Sequence, residues 1–281
     1  MKPSANKTKS QDDGTETAKD EASLFAYDIE QSANIIAAWG VFEQNAIKVL
    51  QHRQTITVSW VWLGKVPKGE AKSGTVSLPD FPMYDKDPYN NIQLIKFVLR
   101  KMEKAHIVAG HNNGKYDNKR INTDIIKHDL TPPPPHKIMD SLRVVRKYFG
   151  FNMNSLKALC EFLGLPRKIE TGGYQLWDDC ALMDRSERCM KAWAKMSRYC
   201  AGDMTSWMAL YLRIRPWDQN HPVMRVREDS NRNPPCPACH KRNLISRGFN
   251  INRSGKTPRL QCSACGHWPP MAKIRKAWRV K

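Results

Sequence analysis

The alternation of residues near the start of the chain predicts a buried strand that carries two acids. Residues 24–30 read Leu-Phe-Ala-Tyr-Asp-Ile-Glu. Because successive side chains of a strand point to opposite faces, Asp28 and Glu30 share one face, about 7 Å apart. A strand that is apolar on both faces is normally buried in a sheet, and a buried carboxylate needs a compensating partner. The pattern indicates either a divalent metal between the two acids or a strand end, with Asp28 capping a turn and Glu30 in solvent.

The stretches that follow predict a mixed arrangement of strands and helices. Residues 34–42 and 55–63 are rich in β-branched and aromatic residues, which indicates two more strands in a meander with the first. Residues 64–90 carry Pro, Gly, Asp and Lys and predict a loop. A helical apolar pattern from Asn91 leads into a short buried strand over 107–110. A strand, a helix and a strand in this order imply a right-handed parallel crossover.

The middle of the chain predicts shorter elements. We expect a helix ending near Lys127, a short strand over 136–140, a helix over 156–163 and irregular structure over 165–184. Asp140 comes between the short strand and the next helix. We interpret it first as an N-cap and second as a helper of a metal site.

The strongest helical pattern extends from Ser186 to about Leu212. Its predicted buried face consists of Cys189, Trp193, Met196, Cys200, Asp203, Trp207 and Leu210. Asp203 is the one carboxylate in this stripe, and Tyr199 lies one turn before it. The two residues are either a partly exposed acid beside a core tyrosine or a functional pair, and the regularity of the stripe favours a functional acid.

Charge indicates the class of partner. The 281 residues include 46 Lys and Arg against 27 Asp and Glu, a net charge of +19. This excess favours a polyanion, most simply nucleic acid, over an anionic membrane surface. No apolar run is long enough to span a bilayer. The polar residues 1–21 predict a disordered tail and no secretory signal. We therefore expect a cytoplasmic location, where thiols stay reduced.

Two Cys-x-x-Cys pairs predict a separate C-terminal module. Twenty-two residues separate the pairs, which are Cys236 with Cys239 and Cys262 with Cys265. Four thiolates at this spacing suit a closed tetrahedral zinc site, although His240 or His267 could replace one ligand. Two disulfides or a redox pair are the alternatives. The module resembles the zinc ribbons found at the ends of insertion-sequence transposases.

The C-terminal fifth of the chain is also its most basic part. From Met224 to Lys281 there are fourteen basic residues, opposed by Glu228 and Asp229, which leaves +12 before any metal site is counted. This part of the chain either binds nucleic acid or is a solubilising tail, and the ribbon could also bind a protein partner.

Three motifs together resemble the DEDD exonucleases, a family of 3′→5′ nucleases with a ribonuclease H-like fold. The first motif, Asp-x-Glu, matches Asp28 and Glu30. The second matches His111 and Asn112 followed by Asp117, one residue longer than the short form of the family. The third, Tyr-x-x-x-Asp, matches Tyr199 and Asp203. Because position 198 is Arg, where a second subclass has His, the tyrosine subclass fits. The segment from Asp28 to Asn45 is also similar to phage and prophage members.

The resemblance implies an α/β fold with a mixed central sheet flanked by helices. The implied divisions are a tail over 1–21, a ribonuclease H-like exonuclease domain over 22–215, a linker over 216–233, the zinc ribbon over 234–268 and a basic tail over 269–281. The implied location is the host cytosol if the protein is phage-encoded.

The resemblance also implies site roles. Asp28 would bridge two Mg²⁺ or Mn²⁺ ions, Glu30 and Asp203 would hold the ion that activates water, and Asp117 would support the second ion. Tyr199 would orient the attacking water, and Asn112 would contact the terminal nucleotide. His111 is expected to be structural. The implied activity is a metal-dependent 3′→5′ exonuclease acting on single strands or 3′ ends, with DNA favoured over RNA and no membrane partner. A non-catalytic nucleic-acid-binding adaptor and a structure-selective endonuclease are the alternatives.

Overall fold

The structure is a computed structural model. It describes residues 22–40, 42, 45–166, 171, 173–219, 221, 234–252, 255–270 and 274, with the backbone alone for 248–252 and 255–259. The predicted tail over 1–21 lies outside these residues, as do most of the linker over 216–233 and most of the basic tail over 269–281.

Nine strands and seven α-helices are present in the described residues. The strands are β1 Ser23–Gln31, β2 Ile35–Ala37, β3 Lys48–Gln51, β4 Thr55–Gly64, β5 Ser73–Ser77, β6 Ile107–Gly110, β7 Lys137–Asp140, β8 Leu244–Asn252 and β9 Gly255–Cys262. The helices are α1 Met83–Lys86, α2 Ile92–Glu103, α3 Asp117–Lys127, α4 Ser141–Tyr148, α5 Leu156–Phe162, α6 Gln175–Ala181 and α7 Glu187–Ile214. Short 3₁₀ turns follow β5 and α7. None of these helices is long and apolar enough to cross a membrane.

The main sheet has five strands in the order β5-β4-β1-β6-β7. The central strand β1 is antiparallel to β4 and parallel to β6, and β6 is parallel to β7. This confirms the predicted α/β fold with a mixed central sheet flanked by helices. Strands β2 and β3 form a separate antiparallel pair, as do β8 and β9.

The two faces of β1 belong to two different hydrophobic clusters. Phe25, Tyr27 and Ile29 pack in one cluster with α2, α3 and the first half of α7. Leu24 and Ala26 pack in the other with α4, α5 and the second half of α7. Helix α7 therefore contributes to both cores, and every residue of its predicted stripe is buried. The predicted alternation of β1 and the predicted face of α7 are both confirmed.

The predicted meander was wrong in its middle strand. The 34–42 stretch contributes β2 to the small β2–β3 pair, and β4 takes the place beside β1. β-Branched and aromatic residues fit a half-exposed strand as well as a buried one, so composition did not separate these two strands.

Two stretches expected to be irregular contain regular elements. Strand β5 lies within the predicted loop over 64–90, where its polar hydroxyls take the place of an apolar pattern: Thr75 bonds Ser59 at 2.6 Å and Ser77 bonds Thr57 at 2.9 Å. Helix α6 lies within 165–184 and is only seven residues long, which is too short for helical periodicity to reveal.

We predict that Gly110→Ala destabilises the protein. A Cβ at this position would lie 2.7 Å from the Asn113 Cβ and 3.0 Å from the Tyr27 carbonyl oxygen, neither of which is the end of a flexible side chain. We expect a loss of about 1–3 kcal/mol in the free energy of unfolding, measured by denaturant titration. Gly150→Ala is the control, because no atom lies within 4 Å of its Cβ. Equal stability of the two variants would contradict this packing.

Candidate active site

The acids of the first motif lie beyond the last parallel pair of β1. Strand β1 pairs with β6 only from Leu24 to Ala26, so Asp28 and Glu30 extend past this pairing. Strand β6 ends at Gly110 and β7 at Asp140, so all three parallel strands end at one edge of the sheet. A crevice at the carboxyl edge of a sheet is a common place for a ligand site.

Helix α7 brings the third acid to this edge. The Cys200 thiol donates to the Asp28 carbonyl oxygen over 3.8 Å, and Asp203 follows one turn later at 1% exposure. Asp28, Glu30 and Asp203 each place a carboxylate oxygen within 4.8 Å of the other two. At an effective dielectric constant of about 20, each such pair repels by about 3 kcal/mol. The arrangement suits a bound cation, which would offset this repulsion, and these three residues can hold a metal ion.

Asp117 lies beside this group of three at the start of α3. Its side chain is 3% exposed and its Oδ1 accepts the Ile29 N–H at 3.3 Å. Burial raises the pKa of this carboxyl well above its usual value, and the charges of Asp28 and Glu30 raise it further, against the hydrogen bonds from backbone N–H groups. Asp117 lines the same cavity as the other three acids. The structure therefore brings all four predicted acids to one cavity.

The loop after β6 is held by Asp140. The Asp140 Oδ1 accepts the backbone N–H of Asn112 at 2.9 Å and of Leu142 at 3.0 Å, which confirms its N-cap role. Asn112 has a φ of 64°, a backbone conformation that asparagine adopts more readily than most residues. Asn112, for which contact with the terminal nucleotide is predicted, is one of the residues that line the cavity.

The His111 ring is fixed by two partners. Its Nδ1 lies 2.9 Å from the Ser141 hydroxyl and its Nε2 lies 2.8 Å from the Asn154 carbonyl oxygen. These contacts tie the loop after β6 to α4 and to the segment before α5. They agree with the expected structural role, although the residue also lines the cavity.

The cavity has a volume of about 630 Å³ and aromatic walls. Besides the acids, it is lined by Tyr116, Tyr174, Trp177, Arg53 and the segment 31–33. The sequence motifs do not include these residues. Two signals were available: Tyr116 directly precedes Asp117, and Tyr174 and Trp177 are an aromatic pair at the i, i+3 spacing of a helix.

Tyr199 lies next to this wall, and the cavity lining does not include it. The residue is half-buried, and its ring meets the ring of Trp177 edge-on, with 6.0 Å between centroids. Trp177 itself lines the cavity. Tyr199 is one turn from Asp203 on the same helix, as the sequence pattern predicted.

The four cysteines of the C-terminal module form a second cluster. All four sulfur atoms lie within 4.8 Å of one another. The Sγ atoms of Cys236 and Cys265 are 3.7 Å apart, and those of Cys239 and Cys262 are 3.5 Å apart. A disulfide needs about 2.05 Å, whereas zinc–sulfur bonds of about 2.3 Å in a tetrahedron place sulfurs about 3.8 Å apart. The thiols are free, and their spacing suits a metal ion.

Both halves of this cluster use the same turn. The His240 N–H donates to the Cys236 carbonyl oxygen at 2.8 Å, and the Gly266 N–H donates to the Cys262 carbonyl oxygen at 2.8 Å. The donors His240 and Gly266 have φ of 64° and 73°. In the second turn, burial opposes ionisation of the Cys262 thiol, but backbone N–H groups of Ala264 and Cys265 bring its pKa below its usual value. The backbone thus favours a thiolate at this position.

We predict that Cys262→Ser removes the metal from the four-cysteine cluster. Three thiolates leave the tetrahedral site open. Co²⁺ added to the metal-free variant should therefore not give the thiolate charge-transfer absorption that it gives with the unaltered protein. Cys180→Ser is the control, because burial raises the pKa of this distant thiol to about 12 and keeps it protonated. The intact chain should bind about one ion at this cluster by elemental analysis; absence of metal in freshly isolated protein would contradict the assignment.

Comparison with known proteins gave a distant structural similarity. No protein-family model matches the chain, and no curated protein matches it. Among solved structures, it is similar to the family B DNA polymerase from the hyperthermophilic archaeon Pyrobaculum calidifontis, with a TM-score of 0.49 and 11% identity. The similarity covers 69% of this chain and 25% of the polymerase chain, so the chain spans about a quarter of that protein.

Proposed function

We propose that the chain is a metal-dependent 3′→5′ exonuclease of the DEDD type, tyrosine subclass, with DNA favoured over RNA. The observation that carries the proposal is the convergence of Asp28, Glu30 and Asp203, with Asp117 beside them, in one open cavity. Four carboxylates match the charge of two Mg²⁺ or Mn²⁺ ions, and such hard ions prefer oxygen ligands. When bound, the ions supply an activated water and stabilise charge on the scissile phosphate.

Each of the four acids has its own role in holding the metal ions. Asp28 would hold both ions, Glu30 and Asp203 would hold the ion that activates water, and Asp117 would support the second ion. The placement of these side chains on β1, α3 and α7, which pack in the hydrophobic clusters, supports the assignment, since a hydrolytic site needs its groups fixed to within about 0.5 Å.

The other predicted residues contact the substrate or the water. Asn112 contacts the terminal nucleotide, and the Tyr199 hydroxyl orients the attacking water. A phenol with a pKa of about 10 is a weak base at neutral pH, so orientation is its better role. Arg53 is well placed on the cavity rim to bind a phosphate through its planar guanidinium.

In this proposal, the C-terminal module binds a structural zinc ion and contacts nucleic acid. The sulfur spacing of the four-cysteine cluster supports zinc. The fourteen basic residues from Met224 onward support contact with phosphates. These contacts would raise affinity and leave the chemistry to the acids.

We predict that Asp28→Asn and Asp203→Asn abolish hydrolysis and leave the protein folded. Each substitution keeps the side-chain shape and removes one charge that the ions require. End-labelled single-stranded DNA with Mn²⁺, resolved on a sizing gel, gives the rate. Asp129→Asn is the control, because Asp129 is exposed and its φ of 52° suits asparagine. Turnover by Asp28→Asn at the rate of the control would contradict the metal assignment. Tight binding without hydrolysis by the unaltered protein would favour the adaptor.

We predict that Tyr199→Phe lowers the single-turnover rate by about 10- to 10³-fold, a range typical of an acid–base or orienting group. The ring and its contact with Trp177 stay in place, so the dissociation constant for DNA should not change. Tyr89→Phe, at a half-exposed tyrosine that does not line the cavity, is the control. If Tyr199→Phe and the control react equally fast, the hydroxyl has no part in the chemistry.

A further inference from the structure

The β2–β3 hairpin exposes an unusual amount of apolar surface in its described residues, which are 34–40, 42 and 45–53. Trp39 is 89% exposed and Phe42 is 85% exposed, although aromatic side chains of this size are usually buried or engaged with a partner. Together with the exposed aliphatic residues of its strands, they form a contiguous stretch in sequence. Exposed apolar patches of this kind mark interaction sites.

Both strands of the hairpin expose aliphatic side chains. On β2, Ile35 is 44% exposed and Ile36 is 47% exposed, and the pairing with β3 shifts register between these two residues. On the partner strand, Leu50 is 61% exposed. A two-stranded hairpin is only marginally stable in water by itself, so a ligand that covers these side chains would also stabilise the hairpin.

The base of the hairpin is fixed to the body of the protein. Ser32 and Gln54 exchange two hydrogen bonds of 3.0 Å, and the Arg53 N–H donates to the Asn34 side chain at 2.8 Å. Thr55, next along the chain, donates from its backbone N–H and its hydroxyl to the buried Asp124. These bonds set the direction in which the hairpin leaves the sheet.

The same base lines the candidate active site. Residues 31–33, which lead into β2, and Arg53, which follows β3, belong to the cavity wall. The base of the hairpin is therefore part of the cavity wall. The segment 34–53 carries two basic residues, Lys48 and Arg53, and a single acid, Glu43. Its formal charge is therefore slightly positive and compatible with a polyanion.

The length of the hairpin suits several nucleotides. Six residue steps lead from Ala33 to Trp39, and β2 covers only Ile35–Ala37 among them. This part of the chain therefore spans at most about 20 Å. At about 3.4 Å per stacked base, that upper bound corresponds to about six nucleotides.

We propose that the β2–β3 hairpin is a stacking platform for single-stranded nucleic acid, a second binding subsite that continues from the cavity. Trp39 and Phe42 stack on bases that lie beyond the cavity, at most about six nucleotides from the strand end. The position of that end rests on the exonuclease proposal. Every base has a flat π-face, so stacking of this kind binds without a sequence preference.

The test compares long and short oligonucleotides. Fluorescence anisotropy in EDTA measures the affinity of the full-length protein for a labelled 12-mer and for a labelled trimer. Trp39→Ala with Phe42→Ala should weaken 12-mer binding by about 5- to 100-fold, as expected for loss of a stacked base, and should leave the trimer unchanged within about twofold. Phe162→Ala, at a phenylalanine that is 76% exposed on α5, is the matched control and should change neither affinity.

The outcomes separate the two proposals. Unchanged 12-mer affinity in the double variant would overturn the platform. If sedimentation shows a dimer that the double variant dissociates while 12-mer affinity stays the same, the hairpin pairs two copies of the chain and the platform is also overturned. Hydrolysis of the trimer in Mn²⁺ tests the exonuclease separately: weakened 12-mer binding without any hydrolysis would support the platform and contradict the proposed chemistry.

Discussion

The repulsion among three carboxylates is the constraint on which the rest of this structure depends. Asp28, Glu30 and Asp203 place oxygen atoms within 4.8 Å of one another, with Asp203 almost fully buried. Such an arrangement opposes folding unless the scaffold holds it or a cation offsets it. Here the scaffold is the central strand of a five-stranded sheet and a 28-residue helix, each packed within the two cores of the domain.

Helix α7 connects the parts of the molecule. It fills both hydrophobic clusters and carries Asp203 near the middle of its length. Near its C-terminal end, the Tyr211 hydroxyl bonds the His221 ring at 2.7 Å, and the His267 ring beyond the second cysteine pair bonds the Pro216 carbonyl oxygen at 2.9 Å. The four-cysteine module is thus anchored to the end of the helix that carries the last acid of the site.

The apolar pattern of the sequence predicted best the elements that pack in both hydrophobic clusters. β1 and α7 have continuous apolar patterns, and their acids were recognisable as exceptions within those patterns. Strand β5 was missed because hydroxyl pairs such as Ser59 with Thr75 stabilise it. Trp177 was missed because its i, i+3 spacing from Tyr174 does not by itself place the pair beside the cavity; that contact depends on tertiary packing.

The most direct test of the exonuclease proposal is the direction and step size of hydrolysis. A time course with 5′-labelled single-stranded DNA and Mn²⁺, resolved at single-nucleotide steps, reports both. A metal-dependent 3′→5′ exonuclease should give products that shorten one nucleotide at a time from the 3′ end, and the reaction should stop when EDTA is added. Internal fragments at early times, or intact DNA with manganese bound at the acids, would contradict the proposal.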